Sequence, residues 1–280
     1  MTKIIAAFDG LKFSESTLEY AVLISRQTGA HLVGVFLEDF TYHSYKIYDL
    51  IREDDPAAPS KRKRLELKDS MLRKYAVERF QTACQEAGLD YSIHHDRNIA
   101  LRELLHESIY ADLLIISSRE TLTHYNEKQP TRFIRDLLSD SQCPVLVVPP
   151  KFKAIEKLTL LFDGEPSSVH AIKMFSYILH PLTQQPVDIV SVRPGKKPAH
   201  VPDNKLVKEF TKRHFPGSNF VVLRGAAEEE ILNHLNGQKA GSLVVLGAYR
   251  RSATSRWFRE SMADFLMKSL KIPLFIAHNK

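Results

Sequence analysis

The chain repeats itself, and that repeat constrains its fold more than any other feature. Residues 3–10 read KIIAAFDG and residues 157–164 read KLTLLFDG. Later, DLLIISS at 112–118 is matched by SLVVLGA at 242–248, and CPVLVVPP at 143–150 by IPLFIAHN at 272–279. The landmarks recur in the same order, as two copies of one structural unit require. Each opening run ends in Phe-Asp-Gly and leads into a helix-start signal, Ser14 in the first copy and Pro166-Ser167-Ser168 in the second.

Between the landmarks, short apolar runs alternate with helical segments. Strands are expected near 3–9, 31–37, 90–95, 112–118 and 144–148, then 157–163, 187–192, 219–224, 242–248 and 273–277. Helices are expected near 14–28, 61–87, 99–109 and 131–141, then 167–180, 202–214, 226–236 and 256–270. The near-continuous Val, Ile, Leu and Ala of the strands suits a parallel sheet covered on both faces. The alternating order predicts an α/β chain of two tandem, doubly wound, five-stranded parallel-sheet domains. Pro149-Pro150 closes the last strand of the first copy, which places one domain at 1–150 and the other at 151–280. The connection is short, so the units are expected to pack closely.

Composition narrows the class. No apolar run approaches the ~20 residues of a membrane-spanning helix. The opening MTKIIAAFDG enters a strand at once and makes a poor signal peptide. The only cysteines, Cys84 and Cys143, form no disulfide or metal pattern, so a reducing, cytoplasmic setting is expected. The net charge of +6 is uneven: residues 1–150 hold 19 Lys/Arg against 22 Asp/Glu, and residues 151–280 hold 20 against 11. A basic half is compatible with an anionic partner such as nucleic acid, but no helix-turn-helix, RNA-recognition or zinc pattern accompanies it. A solvated basic face is the simpler reading.

One region breaks the symmetry. Residues 38–60 lengthen the connection after the second strand and carry Phe40, Tyr42, Tyr45 and Tyr48 before an acidic turn. An amphipathic helix follows, with Leu65, Met71, Leu72, Tyr75, Phe80 and Ala83 expected on its core side. Its first turn holds Lys61-Arg62-Lys63-Arg64, either an interaction patch or a solvated turn.

The repeated strand-Asp-Gly-helix opening at Phe8-Asp9-Gly10 and the closing Cys-Pro-Val-Leu-Val-Val at 143–148 resemble the universal stress protein family, once per half. The resemblance implies an adenine nucleotide alpha hydrolase-like fold. In that family last strands pair between units, so the two copies are expected to form an internal pseudo-dimer. It also implies ATP at the carboxyl ends of the strands, with Asp9 and Asp163 facing the nucleoside. A Gly-x2-Gly-x9-Gly-Ser/Thr stretch would cradle the phosphates, where glycines admit the anion to backbone amides. In the second half Gly247 matches the first glycine and Ser261 the closing hydroxyl, whereas Arg250 and Glu260 replace the other two glycines. Arg250 and Arg251, with Arg256 and Arg259, offer phosphate binding by guanidinium instead. The corresponding stretch of the first half, residues 117–133, has no glycine and carries Glu120 and Glu127, with Thr131 near the closing hydroxyl. ATP is therefore expected in the second half if anywhere.

Each of these residues also has a structural reading. Asp9 and Asp163 can make the turn after a strand, and Ser261 can cap the last helix. His94 and His95 are neighbours in a strand and point to opposite faces, so together with Asp96, His43 and His124 they make a poor metal site. Trp257 is expected in the core. No nucleophile elbow, triad or Walker pattern appears, and no enzyme is predicted. The expectation is a stress-response regulatory or binding protein acting through a small ligand or a protein partner, able to homodimerise, with no membrane contact and with nucleic acid disfavoured. An ATP-dependent switch or slow ATPase using the second-half loop is the alternative.

Overall fold

The computed structural model describes residues 2–38, 58–96, 99–123, 125–193, 195, 201–238, 241–248 and 261–278. Its first half runs β1 (Lys3–Asp9), α1 (Glu15–Thr28), β2 (His31–Leu37), α2 (Ala58–Glu86), β3 (Tyr91–Asp96), α3 (Ala100–Ile109), β4 (Leu113–Ser117), α4 (Arg132–Asp140) and β5 (Val145–Val148). The second runs β6 (Lys157–Leu161), α5 (Pro166–Ile178), a 3-10 turn at His180–Gln184, β7 (Val187–Arg193), α6 (Asn204–His214), β8 (Asn219–Arg224), α7 (Ala227–Asn236), β9 (Ser242–Gly247), α8 (Met262–Ser269) and β10 (Leu274–Ala277). The expected strands and helices are all present with ends shifted by a few residues, except that α8 begins only at Met262, with residues 249–260 outside the described ones.

The ten strands form one sheet in the order β3-β2-β1-β4-β5-β10-β9-β6-β7-β8. Every neighbouring pair is parallel except β5 and β10, which run antiparallel with Val147 opposite Leu274, Leu146 opposite Phe275 and Val145 opposite Ile276. The two halves share one strand order and meet last strand to last strand, as the expected pseudo-dimer requires. Alternate strand residues feed opposite faces. Ile4, Ala6 and Phe8 join α1, α2, α5 and α6 in one apolar cluster, whereas Ile5 and Ala7 join α3, α4, α7 and α8 in the other. Both clusters run across the β5–β10 junction, so the halves share their cores.

Local rules fix the helix ends. Ser14 caps α1 by accepting the Thr17 amide at 3.2 Å, and Gly29 closes it at φ 65°, where a side chain would be strained. The connection between halves is strapped to α1: the Ser16 hydroxyl donates to the Pro149 carbonyl (2.7 Å), and the Tyr20 hydroxyl donates to the Lys153 carbonyl (3.0 Å).

The inner face of α2 differs from the sequence expectation. Phe80 is buried and Leu65 and Leu72 are half-buried, but Met71 and Tyr75 face solvent. Ala76, Phe80 and Cys84 make the buried apolar seam in their place, and Asp69 is buried nearer the N-terminus of the helix. Six apolar positions did not distinguish two stripes on one helix. Residues 39–57, with the aromatics of the long connection, lie outside the described ones.

The shared cores predict cooperative unfolding. In urea, far-UV circular dichroism, which reports both halves, should lose its signal at the same midpoint at which Cys84 and Cys143 of the first half become reactive to a thiol reagent. A second dichroism phase absent from the thiol signal would show that the halves unfold separately.

Candidate functional site

In a doubly wound sheet, ligands gather beyond the carboxyl ends of the strands where the strand order reverses. In the first half that point lies between β1 and β4, and a crevice of about 730 Å3 opens there. Its walls come from the β1–α1 connection (Lys12, Phe13, Ser14, Glu15), the segment after β4 (Ser117, Arg119, Glu120, Thr121) and a loop carrying Asn126, Glu127 and Gln129. Because the halves run antiparallel, the equivalent point between β6 and β9 lies at the opposite end of the sheet. One ligand cannot bridge the two.

Glu120 lines the first crevice, and Asp9 is buried close to it, outside the lining. Asp9, at the end of β1, is 1 % exposed, and its Oδ1 accepts the Leu11 amide at 2.7 Å. Glu120 is 7 % exposed, and its Oε1 accepts the amides of Thr121 (3.0 Å) and Leu122 (3.1 Å), with Leu122 held at φ 49°. Successive amides converging on one point where φ turns positive form an anion-binding concavity. Here the chain's own carboxylate fills it. Burial raises the Glu120 carboxyl to about 7, and repulsion from Asp9 adds to the rise, against the opposing pull of the Leu122 and Thr121 amides and of Lys12. Thr131, the expected closing hydroxyl, caps α4 by accepting the Ile134 amide (3.2 Å) and donates to the Glu120 carbonyl.

The second half is built differently. Its crevice is about 180 Å3 and is walled chiefly by Leu161, Phe162, Val190, Val192, Ile231, Leu246 and Met262. Asp163 and Gly247 both line it. Asp163 is exposed and makes the same turn as Asp9, its Oδ1 accepting the Glu165 amide at 2.8 Å. A Cβ at Gly247 would meet the Ser167 carbonyl carbon and oxygen at 2.5 Å, so this glycine is needed for the close approach of α5. Ser261 caps α8 by accepting the Asp264 amide at 3.1 Å. Arg250, Arg251, Arg256, Trp257, Arg259 and Glu260 lie outside the described residues.

His94 and His95 have local partners. His94 Nδ1 is 2.6 Å from Glu107 Oε1, and His95 stacks on Phe36. Among the described residues no His/Cys/Asp/Glu group could hold a metal ion, while His43 and His124 lie outside them. Sequence reasoning treated Glu120 only as a deterrent to phosphate and passed over Lys12. The available signal was position: three residues after Ser117, Glu120 stands where the second glycine of the phosphate stretch belongs.

Glu120 should make stability depend on pH. An unfolded glutamate titrates near 4.5 and the folded one near 7, so the folded state holds an extra proton between these values. Its contribution is complete below pH 4.5 and is lost as pH rises through 7. Between pH 5 and pH 8, wild type should lose on the order of 3 kcal/mol more unfolding free energy than Glu120→Gln. Equal losses in urea titrations at both pH values would remove the assignment. Gly247→Ala should cost about 1–3 kcal/mol in the same assay, by overpacking against α5.

The sequence matches no protein-family model and none of the curated proteins. Solved structures do match. A universal stress protein from Archaeoglobus fulgidus superposes over 99% of this chain and 98% of its own at TM-score 0.69 and 14% identity. A functionally unknown protein from Pseudomonas aeruginosa PAO1 superposes over 99% of this chain and 92% of its own at TM-score 0.63, also at 14% identity. With its strand order repeated about the β5–β10 junction, the chain has the universal stress protein fold over its full length, two units in tandem.

Proposed function

We propose that this chain is a regulatory binding protein of the universal stress type, with its ligand site in the crevice of the first half. The observation that carries this reading is the crevice itself: about 730 Å3 at the strand-order reversal, with polar walls, Glu120 in its lining and Asp9 buried close behind it. A cleft of that size suits a small molecule. The amides that could receive a phosphate are held by Glu120, and a second carboxyl lies beside it. The site therefore favours a polar ligand without a polyphosphate, such as a nucleoside, over ATP. Among the described residues no nucleophile–base pair lines it; the reading offered is of a binding protein whose occupancy reports a cell condition.

The alternative, an ATP-dependent switch in the second half, draws support from Asp163 and Gly247 lining one crevice. Calorimetric titration of nucleotide-stripped protein separates the two. Adenosine should bind wild type more tightly than ATP, and Glu120→Gly, which frees the two amides, should improve ATP binding about tenfold or more. ATP binding at micromolar strength in both proteins alike, weakened by Asp163→Ala, would replace the first reading by the second.

A further inference from the structure

The outer face of α2 has no role in the crevice, and its chemistry is specific. Leu67, Met71 and Tyr75 are 58%, 73% and 57% exposed. Spaced four residues apart, they form one stripe along the helix. At 3.6 residues per turn, Lys63 continues that row one turn toward the N-terminus, Lys74 lies on one side of it and Arg64 and Lys68 on the other, and Glu78 stands beside its far end, all exposed. Lys74 is paired with Glu78 at 3.5 Å, whereas Lys63, Arg64 and Lys68 have no partner among the described residues. The opposite side, with Ala76, Phe80 and Cys84, is buried against the sheet.

An apolar stripe flanked on both sides by cations suits an anionic partner that also accepts apolar side chains. Nucleic acid supplies the charge but leaves Leu67 and Met71 without an apolar surface. A partner groove would have to wrap a helix whose back is already packed. A second copy paired antiparallel about Met71 would match Arg64 with Glu78, but it would set Lys68 against Lys74 and leave Lys63 without an acidic partner. A plane of anionic headgroups over acyl chains satisfies both features, with the long basic side chains reaching outward and the stripe entering the boundary.

We propose that the outer face of α2 docks reversibly on anionic lipid surfaces. The test is co-sedimentation of the full chain with vesicles of phosphatidylcholine alone or containing about one third phosphatidylglycerol. The anionic vesicles should bind at least about tenfold more protein, and that excess should vanish between about 0.1 M and about 0.5 M NaCl. The triple variant Lys63→Glu/Arg64→Glu/Lys68→Glu should lose binding. Met71→Asp should weaken it about fivefold or more with all four cations in place. Both variants alter only exposed side chains, and an unchanged melting temperature verifies that they fold. Absence of binding to anionic vesicles, or binding that survives charge reversal, overturns the proposal. Retention on polyglutamate without vesicle binding would assign the face to an acidic protein and overturn it too. So would a wild-type dimer in sedimentation velocity that Met71→Asp dissolves.

Discussion

The structure depends on a short antiparallel contact between two strands that would otherwise be edges. β5 is Val-Leu-Val-Val and β10 is Leu-Phe-Ile-Ala, and every residue of both is buried. Left at the rim of a five-stranded unit, either strand would present apolar side chains and unpaired amides, a template for aggregation. Pairing them satisfies both backbones and joins two parallel sheets into one. The outer edges are then β3 and β8, in which most side chains are only half-buried. Helices of both halves pack over the junction, where Phe275 of β10 meets the Phe175 ring of α5 at 5.2 Å.

The same contact decides where ligands can go. Antiparallel halves place their carboxyl-end crevices at opposite ends of the sheet, so each must be complete by itself. The two have diverged. The first keeps a large polar opening but fills its anion nest with Glu120. The second keeps the glycine after its fourth strand, and uses it to let α5 approach β9. In both halves the aspartate after the first strand makes the same turn to the amide two residues on. A shared turn with different surroundings leaves Asp9 buried beside a second carboxyl and Asp163 in solvent.

Helix α2 follows a similar logic of two faces. Its 29 residues make it about 44 Å long at 1.5 Å per residue, well beyond the span of a seven-residue strand. Its C-terminal half packs on the sheet, where the Phe80 ring closes over Gly34 of β2, leaving no room for a Cβ. Leu67, Met71 and Tyr75 face outward with the basic residues beside them.

The sequence by itself determined the repeat, the order of strands and helices, and the two-faced cover of the sheet. These follow from local periodicity, from caps such as Ser14, Thr131 and Ser261, and from turn residues such as Asp9 and Asp163, all of which act over a few residues. It also placed the pseudo-dimer junction, through the resemblance carried by the closing strands. Only the tertiary structure decided which stripe of α2 is buried, because Met71 and Phe80 look alike until a sheet lies under one of them. It also decided what stands at the crevice of the first half. Glu120 folds back onto the amides of Thr121 and Leu122 close to Asp9, more than a hundred residues away in the chain. Burial and the meeting of two distant carboxyls are set by packing, and no local pattern encodes them.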